Sequence, residues 1–153
     1  MADILIKVFP ASQEEKQAFI SYRDGLGAQT EGEYVEALEQ YYDALEIEEC
    51  SIDRGIIFYN IGLIYARIGN YLKALECYHC ALELNDRLSQ IYNNVAVIYH
   101  SQGLKASKKK CSDLSKILFH KSSIYWKGAL QIEPNSYIEA QNWLIITNRL
   151  SNI

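Results

Sequence analysis

Three features of the chain predict an all-α fold of three stacked helical hairpins closed by a C-terminal capping helix. The run Phe58, Ile61, Gly62, Tyr65, Gly69, Tyr71, Ala74, Tyr78 and Ala81 sets a pattern of small and large side chains, pieces of which recur about 34 residues to either side. Gly62, Ala74 and Ala81 are spaced so that two antiparallel helices can approach closely while the large residues fill the gaps between hairpins. No segment alternates as a strand would, and the two prolines, Pro10 and Pro134, fall at expected helix boundaries.

The elements follow in order. Residues 1–11 form an apolar lead in which Ile4, Leu5, Ile6, Val8 and Phe9 are too few to span a bilayer. That lead either dips into a membrane interface or packs as a cap on the first hairpin. Ser12 with Glu15 has capping-box spacing and opens the folded domain, 12–153. The first repeat, about 18–51, keeps Gly25, Gly32, Tyr34, Ala37, Tyr41 and Ala44; the second, about 55–88, is the template. The third, about 89–134, begins with Tyr92, Val95, Ala96, Tyr99 and Gly103, but its second half, Trp126, Ala129 and Pro134, arrives 14 residues late. An insertion at about 104–121 therefore has to be absorbed as about four extra helical turns or as a loop. Ser136 with Glu139 repeats the capping-box spacing and starts the capping helix, 136–150.

Composition narrows the class. With 153 residues and 49% hydrophobic content, the chain can bury one sizeable core. No apolar run approaches the ~18 residues of a membrane span. The start lacks the basic region and cleavage site of a signal peptide and the Arg/Ser bias of a transit peptide, so the protein is expected to be made where it works unless an address has been removed. Cys77 and Cys80 form a C-x-x-C in mid-helix, without a second pair or a strand-to-helix turn, and His79, His100 and His120 show no i, i+4 pairing, so helix packing is expected rather than a metal or redox site. No cofactor is expected.

Charge is uneven. Residues 1–54 carry 13 acids against 4 bases, whereas 104–121 holds Lys105, Lys108, Lys109, Lys110, Lys116 and Lys121 against Asp113. Such a basic stretch can touch an anionic surface or sit as a solvated loop. It lacks an aromatic RNA-binding signature, so no nucleic-acid partner is expected. No nucleophile elbow, phosphate loop, dinucleotide turn or zinc-protease motif occurs, and an enzyme is not expected.

The hairpin pattern resembles the tetratricopeptide repeat, whose stack forms a superhelix with the first helix of each hairpin lining the concave face. The lining places are Ile56, Tyr59, Asn60, Leu63, Ala66 and Arg67 in repeat two, and Gln90, Asn93, Asn94, Val97, His100 and Ser101 in repeat three. From these, Tyr59, Asn60, Leu63, Arg67, Asn93, Asn94, Val97 and His100 are the candidate protein-binding residues. Asn60 and Asn94 are in register and expected on a solvent-facing surface, where an amide can both donate to and accept from an extended peptide. The chaperone-tail class of this fold clamps a terminal carboxylate with lysine and arginine. Here the matching places hold Tyr22, Leu26, Ile56, Gln90 and Asn94, and only Asn60 fits, so capture of a chaperone C-terminus is not expected.

The stretches KQAFISYRDG (16–25), EGEYVEALEQYYDAL (31–45), FYNIGLIY (58–65), NNVAVIYH (93–100) and YWKGALQIEPNSYIEAQNWLIIT (125–147) resemble the plastid-encoded photosystem I assembly protein family. The resemblance implies a non-enzymatic scaffold or chaperone, peripheral on the stromal face of the chloroplast thylakoid membrane. Its implied partners are newly made photosystem I subunits and other assembly factors. A generic tetratricopeptide adaptor is the alternative. The lysine-rich 103–123 segment departs from the family's more acidic, alanine-rich stretch.

Overall fold

The structure, a computed structural model, describes residues 12–149. The apolar lead 1–11 lies outside the described residues, while the expected capping helix 136–150 ends early, at Ile146, where Asn148 at φ 54° closes it and the Arg149 amide bonds the Leu144 carbonyl. Every regular element among the described residues is a helix: α1 (Gln13–Glu31), α2 (Tyr34–Ile47), α3 (Ser51–Arg67), α4 (Tyr71–Leu84), α5 (Ser89–Lys108), α6 (Ser112–Ile132) and α7 (Ile138–Ile146). The chain divides into two compact units, one ending at Asn85 and one beginning at Asp86.

The first unit contains two hairpins, α1/α2 and α3/α4. Ser12 and Glu15 close a reciprocal capping box on α1: the serine hydroxyl accepts from the Glu15 amide at 3.0 Å and the carboxylate accepts from the Ser12 amide at 2.9 Å. Each hairpin is locked by a ring lying on a glycine. Tyr41 packs on Gly25 and Tyr78 on Gly62, so closely that a methyl group at either glycine would lie 2.8 Å or 2.5 Å from the ring. Ala37, Ala44, Ala74 and Ala81 are fully buried beside these rings. Tyr41, Ala44 and Leu45 then pack on Ile57, Ile61 and Ile64 of α3, which joins the two hairpins into one core. The Arg54 guanidinium donates to the carbonyls of Leu45 and Glu48, satisfying orphan acceptors at the end of α2.

The second unit repeats the contact with different residues. Trp126 takes the ring position and packs with Ala96, Leu130, Ala140 and Leu144. Ser122 stands where the template has alanine; it is fully buried, and its hydroxyl donates to the Ala96 carbonyl at 3.0 Å. The fourteen inserted residues become helix rather than loop. α5 runs to Lys108, seven residues past the place 34 after Arg67, where α3 ends, and α6 is 21 residues long against 14 for α4. Two turns are thereby added to each arm of the hairpin. Whole turns preserve the facing register, and Phe119 lies on Gly103 as Tyr78 lies on Gly62.

Helix ends show how the extension is accommodated. Gly32 and Gly69 end α1 and α3 in the left-handed region, at φ 87° and 82°. The amides of Glu33 and Asn70 reach back to the carbonyls of Ala28 and Tyr65, a Schellman closure. The 34-residue spacing puts Gly103 in the corresponding place, but α5 runs straight through it. Lys110, two turns later, adopts φ 60° instead, and the Cys111 amide bonds the Ala106 carbonyl. α7 also departs from expectation. It begins after Tyr137, whose φ of 58° takes Ser136 out of the cap position, and no side-chain cap forms with Glu139. The Tyr137 hydroxyl instead pairs with Ser89 Oγ at 2.8 Å.

Candidate protein-interaction surface

Within the first unit the candidate residues sit along α3. Asn60 is 7% exposed, contrary to its expected solvent-facing position, and its amide donates to the Tyr22 hydroxyl at 3.2 Å. The register placed Asn60 on the correct helix face, but Tyr22 of the preceding hairpin covers it. Burial raises the Tyr22 pKa; the Asn60 hydrogen bond opposes the rise and Asp53 adds to it. Tyr59 is half-buried, with its ring 6.3 Å from that of Tyr78. Leu63 is half-buried and Arg67 is exposed on the last turn of α3. Leu63 and Arg67 are the α3 candidates that these internal contacts leave accessible.

Within the second unit α5 carries the other four. Asn93 is half-buried and its side-chain oxygen accepts from the Trp126 indole at 3.1 Å, which satisfies the polar end of a buried tryptophan. Asn94 is half-buried and Val97 is 49% exposed. His100 is enclosed by rings: its centroid lies 5.5 Å from Phe119, 5.2 Å from Trp126 and 5.2 Å edge-on from Trp143. Burial lowers its pKa below the ordinary histidine value, so the neutral ring dominates near pH 7. The Arg149 guanidinium lies 5.0 Å over Trp143 and closes the cluster on its far side.

The helical extension adds a residue to this surface. Leu104, 46% exposed, lies seven residues beyond Val97 and so on the same stripe of α5. The signal for it was that spacing, which counts only once the insertion at 104–121 continues α5 as helix rather than forming a loop. Asn60 and Asn93 are tied into internal hydrogen bonds, while Leu63, Arg67, Asn94, Val97 and Leu104 remain for contact. Apolar and amide groups on rigid helices suit an extended or helical polypeptide segment.

Cys50, Cys77, Cys80 and Cys111 are free thiols, and burial, with Cys80 and Glu76 beside it, pushes the Cys77 thiol up to about 11. Burial likewise raises Tyr41, whose hydroxyl donates to Gln29 at 2.6 Å. Among the described residues no group of His, Cys, Asp and Glu side chains is arranged to hold a metal ion, and no helix is long and apolar enough to cross a membrane.

Helical hairpins locked by rings on small residues, and ended by left-handed turns, define a tetratricopeptide repeat protein; the family model of that repeat matches residues 56–87. A similar solved structure is the first tetratricopeptide domain of Spaghetti (RPAP3) bound to the HSP90 peptide SRMEEVD, with a TM-score of 0.63 at 18% identity over 88% of this chain and 92% of that one. That likeness concerns the fold. Sequence relatives are much nearer. The chain is 59% identical to the photosystem I assembly protein Ycf3 of Porphyra purpurea, over 100% of this chain and 88% of the relative. It is 60% identical to that of Guillardia theta, over 97% and 87%, and 55% identical to that of Synechocystis, over 97% and 86%. The chain belongs to the photosystem I assembly protein Ycf3 family.

Proposed function

We propose that this protein is a non-enzymatic assembly factor that holds newly made photosystem I subunits, with other assembly factors, while the complex is built. The observation that carries the reading is near-full-length identity of 55–60% to proteins named for that role. The geometry supports a binding rather than a catalytic mechanism. Leu63 and Arg67 on α3, and Asn94, Val97 and Leu104 on α5, give each unit a surface of apolar and polar groups on a rigid helix. The shifted tyrosine and cysteine groups are moved by burial toward their protonated, unreactive forms. The site of action is the stromal face of the thylakoid membrane in a plastid, and attachment there is peripheral.

Affinity capture from detergent-solubilised photosynthetic membranes tests the reading. Mass spectrometry is expected to find photosystem I subunits enriched over those of photosystem II. Recovery of both in equal measure would favour a general tetratricopeptide adaptor.

A further inference from the structure

We propose that the outer face of α6, together with the α5–α6 turn, docks on an anionic lipid bilayer. This rests on the peripheral-membrane part of the reading above and assigns the surface that makes the contact. Leu114, Ile117 and Ile124 are 51%, 55% and 54% exposed. Steps of three and seven residues place them along one stripe of α6. Lys121 lies on the same stripe, four residues after Ile117, with its ammonium 5.2 Å over the Tyr99 ring. At the head of the stripe the turn exposes Lys108, Lys109 and Lys110 in succession. Lys116 lies alongside; its contact with Asp113, the stretch's one acid, is 3.8 Å long between two exposed side chains, so the cation stays available.

The combination selects the occupant. A bilayer interface takes aliphatic side chains to a shallow depth while its anionic headgroups attract lysines, whose long stems let the charge remain in water. Single-stranded nucleic acid would instead call for exposed ring faces on which bases stack. Of the rings on α6, Phe119 is turned inward onto Gly103, Tyr125 and Trp126 pack against other rings, and His120 is the one left exposed, a single ring where a stacking platform needs several. The excess of acids over bases lies in residues 1–54, and no acid but Asp113 occurs in 104–121, so little charge in this stretch opposes an anionic surface.

The test is flotation of the full chain with vesicles of phosphatidylcholine alone or mixed with phosphatidylglycerol. Binding is expected on the mixed vesicles, weakening as salt shortens the screening length. Replacing Lys109, Lys110 and Lys116 by glutamine is expected to weaken binding at least about tenfold, since each lysine near such a surface is worth roughly fivefold. Leu114→Gln with Ile117→Gln should also weaken it, with helicity and melting temperature unchanged because both side chains are already exposed. Wild-type protein that floats with neither vesicle overturns the peripheral reading and this inference together. Vesicle binding that survives both sets of substitutions, or that disappears when residues 1–9 alone are removed, overturns only the assignment to α6. Lysine-dependent binding of single-stranded RNA without vesicle binding overturns it in favour of nucleic acid.

Discussion

At Gly62 a methyl group would meet the Tyr78 ring at 2.5 Å, whereas at Gly27 it would meet nothing within 4 Å. The same substitution should therefore act in opposite directions. Gly62→Ala is expected to cost about 1–3 kcal/mol through overpacking, and Gly27→Ala, in an exposed part of α1, to stabilise by about 0.4–1 kcal/mol. Urea denaturation of the two variants checks both signs. His100 supplies a pH dependence. Its pKa is lowered in the folded protein, so below about pH 6.5 the unfolded chain binds the extra proton more readily and stability falls with pH. His100→Phe, which keeps a ring among Phe119, Trp126 and Trp143, should flatten the change in melting temperature between pH 7.5 and pH 5.5. An unaltered slope would place the titrating group elsewhere. The ring positions Tyr41 and Tyr78 were legible in the sequence because spacing alone fixes which residues face each other. Asn60 was not: periodicity gives a helix face, while its burial depends on the Tyr22 hydroxyl from another hairpin, 38 positions away.

Among the elements, the α5/α6 hairpin shows both the reach and the limit of spacing. The delay of Trp126 announced fourteen extra residues, and the pairing of Trp126 with Ala96 required that they be absorbed without shifting the register. Whether they formed helix or loop depended on contacts that the repeat template does not contain: Phe119 on Gly103, and the left-handed Lys110 closing α5 two turns late. This division can be tested by deletion. Removing 104–110 together with 112–118 returns Gly103 to the position of a turn glycine, followed directly by Cys111 and Phe119, and should leave a cooperative helical protein. Removing 104–110 alone strands two turns of α6 and removes the part of α5 opposite them, the buried Ala106 included. It should lower stability by about 1.5–3 kcal/mol, the scale of one large apolar side chain. Circular dichroism melts of the two deletions distinguish these outcomes, and equal stability would contradict the two-turns-per-arm account.

For the molecule as a whole, the fold supplies helix surfaces and the family supplies the role. The sequence placed the candidate interaction surface on the first helices of the second and third repeats. Internal contacts narrow that set, because Asn60 and Asn93 hold Tyr22 and Trp126 in place, and the extension adds Leu104. Substituting Asn60 or Asn93 would therefore disturb packing as well as binding. Arg67 and Val97, both exposed, and the half-buried Asn94 offer a cleaner probe. The most direct measurement replaces the gene in a photosynthetic host with one carrying Arg67→Ala, Asn94→Ala and Val97→Ser, and quantifies both photosystems. The account predicts normal levels of the variant protein, a several-fold loss of photosystem I and largely undiminished photosystem II. Undiminished photosystem I, or equal loss of both photosystems, would contradict it.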